Sequence, residues 1–126
     1  MLNRRLLQAA IALGGCVPVI AGLAGIVQGA GLTADHVSAA LDSHLRYLSG
    51  LLLAIGLGFW STIARIETHR GRFLLLTLIV VAGGLARLYG LLTHPLPPPA
   101  MRAAAVMELV ITPALWLWQR RLSARH

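Results

Sequence analysis

The sequence predicts an all-α integral membrane protein, a four-helix bundle with short loops and one short interfacial helix, filling residues 1–126 as a single domain. Three observations predict it. Hydrophobic residues make up 57% of the chain and charged ones only 12%, against about a quarter charged in soluble domains. Four apolar windows, at 6–28, 45–63, 73–92 and 101–117, approach the roughly 20 residues that cross a bilayer at ~1.5 Å each. The arginines sit where those windows end.

The first window follows "MLNRR". That start and "LGGC" (13–16) imitate a secretory signal with a lipoprotein cleavage site at Cys16. The chain stays apolar afterwards through "VPVIAGLAGIV", however, which predicts a retained span with Cys16 as a small packing residue. "TADHVSAALDSH" predicts the short helix before span two, capped by Thr33, with Val37, Ala40 and Leu41 facing the membrane. The fourth window is short and needs little tilt. Pro18 and Pro113 are expected to bend or loosen their helices, and "PLPPP" (95–99) to form a stiff extended turn.

Lipid supplies no hydrophobic force between helices, so small residues that admit close backbone approach are the expected contacts. Ala21, Gly25 and Gly29, then Gly50, Ala54 and Gly58, then Ala82, Ala86 and Gly90 each recur every fourth residue on one helical face. These Gly/Ala faces suit packing within the bundle or a homo-oligomer.

Net charge is +7, carried by eleven arginines without a lysine. Arg4 and Arg5 precede the first span, Arg65, Arg70 and Arg72 fill "RIETHRGR" (65–72), and Arg120, Arg121 and Arg125 follow the fourth span. The positive-inside rule then places both termini and the 65–72 loop in the cytoplasm of an inner (plasma) membrane protein. The same distribution argues against nucleic acid as the basic chain's partner. The single Cys16 excludes an internal disulfide.

Two charges lie well inside the windows, Arg87 and Glu108. Counting rises puts both ~10 Å below the outer surface, so they are expected to pair between spans three and four. Arg46 stands at the outer end of span two, with Asp42 one turn before it. Asp42, His44, Arg46, Arg87 and Glu108 are therefore the candidate polar cluster, with Tyr47, Ser49, Tyr89 and His94 nearby.

"DSHLRYLSGLLLAIGLGFW", "GGLARL" (83–88) and "MELVITPALWLWQRR" (107–121) resemble the bacterial four-span membrane family DUF 4345, a domain of unknown function. The likeness extends over nearly the whole chain and is weakest in the first span and outer loop. It implies a four-helix membrane fold and polar family positions at Asp42, His44, Arg46, Arg87 and Glu108. It implies no activity.

Intramembrane ionisable groups mark function by default, so the leading expectation is a site for a small amphipathic molecule, lipid-like or quinone-like, entering from the outer leaflet. A buried pair that only locks helices is the competing expectation, in a non-catalytic accessory or assembly subunit. Catalysis would need Glu108 or His44 to move a proton, and the arginines beside Glu108 argue against that. A transporter would need polar residues continuing inward, where the spans hold only Ser61, Thr62, Thr77 and Thr112. His36, Asp42, His44 and His94 lack metal-ligand spacing, so no metal and no cofactor are expected.

Overall fold

The computed structural model describes residues 2–29, 38–93 and 99–124, and among these it is helical with turns and no strand. Helix α1 runs Leu2–Gln28, α2 Ala39–Trp60 and α3 Arg70–Thr93. The fourth helix is built of α4 (Pro99–Val106), a π-helical segment (Met107–Ile111) and α5 (Thr112–Ala124), which follow without a break. Three helices are long and apolar enough to cross a membrane: Leu2–Gln28, Arg70–Thr93 and Pro99–Ala124. Helix α2 is not among them. Its first two turns carry Asp42, Ser43, His44 and Arg46, and the apolar stretch 48–60 behind them rises only ~20 Å.

The expected separate helix before span two is a correction. Thr33 and Val37 lie outside the described residues, whereas Ala39–His44 are the opening turns of α2 itself. Ser38 is its N-cap, with extended backbone and a side-chain oxygen accepting the Leu41 N–H at 3.2 Å. Asp42 in the first turn adds a favourable charge there. "PLPPP" also lies outside the described residues, except Pro99, which opens α4. Proline suits a first helical position, where its missing N–H has no intrahelical acceptor to serve.

The chain divides into two units, Ala9–Ile63 and Met1–Gln8 with Ala64–His126. In the first, α1 and α2 run antiparallel, because their contacts pair ascending numbers with descending ones. Gly15 meets the Trp60 indole, Gly22 the backbone of Ser49 and Leu53, Gly25 the Ser49 side chain, and Gly29 Asp42 and Arg46. A Cβ on Gly22 would stand 2.7 Å from both the Leu53 nitrogen and the Ser49 carbonyl oxygen. From the other side, a Cβ on Gly56 would stand 2.7 Å from Val19 Cγ2 and 3.1 Å from Pro18 Cγ. Gly15, Gly22 and Gly29 repeat every seven residues, the seam spacing of coiled helices. Leu13, Ile20 and Val27, each 65–74% exposed, repeat on another face.

The small-residue stripes are therefore partly corrected. Gly25 and Gly29 are in the seam, but Ala21 is exposed. In α2 the contact positions are Ser49, Leu53, Gly56 and Trp60, while Gly50 has open space around it and Ala54 is exposed. In α3, Gly90 has open space and Ala82 and Ala86 are exposed. The packed α3 glycine is Gly84.

Helix α2 stops where Ser61 and Thr62 turn their hydroxyls back onto the carbonyls of Gly58 (2.5 Å) and Phe59 (2.7 Å). Such hydroxyl-to-backbone bonds compete with helix continuation.

In the second unit the fourth helix returns along α3. Phe73, Thr77, Gly84 and Arg87 line one α3 face, the first three buried. The turn 64–69 is held by three groups. The Arg4 guanidinium donates to Glu67 (2.9 Å) and to the Ala64 carbonyl (3.1 Å). Gln119, 1% exposed, donates to the Ile66 carbonyl at 2.8 Å, and Ser123 Oγ to the Glu67 carbonyl at 2.8 Å. Trp118 Nε1 donates to Asn3 Oδ1 at 2.9 Å. The start of α1, the turn and the end of α5 thus meet at one arginine-rich end.

Two glycines separate close approach from chance abundance. Gly22→Ala is expected to lower stability by about 1–3 kcal/mol, since backbone atoms oppose the new methyl. Gly50→Ala, in open space, is expected to raise it by up to about 1 kcal/mol through helix propensity. Thermal unfolding of both variants in detergent checks the contrast.

Candidate functional site

Arg87 and Glu108 meet in the second unit. Arg87 Nε donates to Glu108 Oε1 at 2.7 Å, and Nη2 reaches Oε2 at 3.5 Å. Gly84, one turn before Arg87, makes this approach possible. A Cβ there would stand 2.9 Å from Glu108 Cβ and 3.0 Å from the Leu109 side chain. Arg87 lies ~9 Å from the Thr93 end of α3 and ~26 Å from the Arg70 end.

Glu108 belongs to the π-helical segment, and Pro113 gives that segment a physical cause. Proline has no N–H for the Leu109 carbonyl, and in an α-helix its ring would press on it. The helix widens instead, and the Thr112 N–H bonds to the Met107 carbonyl five residues back. Thr112 Oγ1 donates to that same carbonyl at 2.9 Å. Single-turn π segments recur at functional sites, where they re-aim side chains.

The pair is not closed off. Its side chains are 33% and 18% exposed for Arg87 and Glu108 respectively. Among the described residues the third arginine contact is the Met101 thioether, 3.1 Å from Nη1. Sulfur of this type is a weak acceptor, so the outer edge of the guanidinium keeps donor capacity. A carboxylate, phosphate or carbonyl oxygen matches it.

Asp42 and Arg46 have a different occupation, within the Ala9–Ile63 unit. Arg46 Nε pairs with Asp42 Oδ2 at 2.8 Å, and Nη1 donates to the carbonyls of Ile26 (2.6 Å) and Val27 (3.2 Å). Those oxygens belong to the last turn of α1, where helical carbonyls lack intrahelical donors. Gly29, with φ +55°, provides the left-handed residue that ends the helix. Asp42 and Arg46 lie against its Cα. The two residues thus form a side-chain cap for α1, a role absent from the sequence reading. His44 is exposed, as are Tyr47 (67%) and Tyr89 (73%). Ser49 packs on Gly22 and Gly25. His36 and His94 lie outside the described residues.

No group of three His, Cys, Asp or Glu side chains that could hold a metal occurs among the described residues. The hydroxyls of Ser61, Thr62, Thr77 and Thr112 each donate to a backbone carbonyl three to five residues back. Trp60 donates its indole N–H to the Ala12 carbonyl at 3.1 Å.

The profile of one family, described as a domain of unknown function (DUF4345), matches residues 6–119. The chain belongs to that family. No curated protein and no solved structure matches it. The DUF4345 match spans the α1 cap, the 64–69 turn and the Arg87–Glu108 pair together.

Sequence reasoning missed Glu67, Gln119 and Ser123, which hold the arginine-rich end. Their signals were one acid inside "RIETHRGR", and a Gln and Ser four apart on one face of the last helix. Breaking the other pair tests its energetic weight. Glu108→Gln and Arg87→Ala are each expected to cost on the order of 2–3 kcal/mol, since either leaves a partly buried partner unmatched. Arg87→Ala combined with Glu108→Gln is expected to cost less than the sum of the two single replacements. Thermal unfolding across this cycle gives the comparison.

Proposed function

We propose that this chain is a four-span integral membrane protein that holds the polar head of a small amphipathic molecule at Arg87–Glu108. In this reading α2 completes a crossing with its Asp42–Arg46 end at the outer surface, and both termini lie on the cytoplasmic side. The head is an oxygen-bearing group, and the lipid-like or quinone-like tail follows apolar helix faces. The single observation that carries it is the arginine's open edge: one guanidinium, one carboxylate and a weak thioether acceptor, set at a π-helical segment. An apolar solvent penalises unmatched donors, and a polar-headed ligand removes that penalty. We assign no catalytic role to the site.

A second reading has its own observation. Gly84 is packed so tightly on Glu108 and Leu109 that the pair also serves as a lock between α3 and the fourth helix. In that case the protein is an accessory or assembly subunit without a ligand.

Native and lipid mass spectrometry of the purified protein separates the two, with wild type beside Glu108→Gln and Arg87→Ala. The binding reading expects one molecular class enriched with wild type and lost from variants whose helical circular dichroism is unchanged. Equal small-molecule content in all three proteins, with earlier melting of the variants, would establish the lock instead.

A further inference from the structure

At the arginine-rich end of the second unit, a groove of about 370 Å³ is lined by Asn3, Ala114, Leu117, Trp118 and Arg121. It combines a cation, an amide donor and an apolar wall. Asn3 Oδ1 accepts the Trp118 indole N–H at 2.9 Å, which fixes the amide and leaves its NH₂ group as the donor. Arg121 has no carboxylate partner among the described residues. Leu117 is 47% exposed. Arg120, its guanidinium 5.5 Å from the centre of the Trp116 ring, adds a second cation to the same turn.

We infer that this groove holds an anionic phospholipid, with its phosphate on Arg121 and Asn3 and its upper acyl carbons along Leu117 and Ala114. Anionic, rather than zwitterionic, lipid follows from the lining. Among the described residues the lining holds no acidic side chain to receive a choline or ethanolamine cation. Arginine supplies a planar fork of donors that matches phosphate oxygens, and Trp beside Arg at a helix end is the pairing of a membrane interface. The inference uses the membrane residence proposed above but is independent of the Arg87–Glu108 pair.

The test uses the full chain, stripped of lipid in detergent and titrated with phosphatidylglycerol or with phosphatidylcholine of the same chain length. Native mass spectrometry reads the bound lipid. Wild type is expected to retain phosphatidylglycerol about five-fold better, the effect of one interfacial cation. Arg121→Gln is expected to bring that ratio near one, and Ala114→Phe to do so by filling the groove while keeping the arginine. In an Arg87→Ala background the fall of the ratio on Arg121→Gln is expected to persist, so failure here and failure of the Arg87–Glu108 site are distinguishable. Equal retention of both lipids by wild type overturns the inference. So does a ratio indifferent to both groove variants, and so does displacement by inorganic phosphate at equal concentration, which would make it a free-anion site.

Discussion

Gly22 lies against the backbone of α2 with no room for a methyl group, and the pairing of α1 with α2 depends on contacts of that kind. Both helices are apolar nearly all round, so burial of a hydrophobic face gives no preference for one rotation over another. Where lipid is the solvent, contact between helices gains little over contact with acyl chains. A backbone-to-backbone approach is different, because many weak dispersion contacts form at once. Gly15, Gly22 and Gly25 on α1, Gly29 just past its end, and Gly56 on α2 permit it along the pair. Gly84 does the same between α3 and the fourth helix, where it also sets the distance from Arg87 to Glu108.

With the apolar faces indifferent, polar groups carry the specificity, and nearly all of them are at helix ends. Arg46, steadied by Asp42, satisfies the last carbonyls of α1. Arg4, Gln119 and Ser123 satisfy the carbonyls of the 64–69 turn. Each is a polar side chain returning to backbone that regular helix hydrogen bonding leaves open. Arg87–Glu108 stands apart, because it joins two side chains partway along its helices and leaves donor capacity over. Its coincidence with a π-helical segment set by Pro113 makes it the feature that helix termination and packing explain least.

The groove at Asn3 and Arg121 belongs to the opposite, arginine-rich end of the same unit. There Arg121, one of the arginines gathered at that end, lines a concavity of mixed character. The membrane orientation and the lipid proposed above rest on the same physical attraction, that of arginine to anionic headgroups.

The sequence by itself determined the helical class, the presence of long apolar helices, the family, and the partnership of Arg87 with Glu108. These are properties of length, hydropathy and depth along a helix, each readable one residue at a time. Only the tertiary structure decided which face each helix turns inward. Glycine and alanine are so common that Gly50, Ala54, Ala82 and Ala86 looked as suitable as Gly22, Gly56 and Gly84. The choice depends on the shape of the partner, which no single helix contains. The same holds for Arg46, whose charge suggested a polar cluster. Besides Asp42, its acceptors are backbone carbonyls about twenty residues away in sequence, and carbonyls have no letter in a sequence.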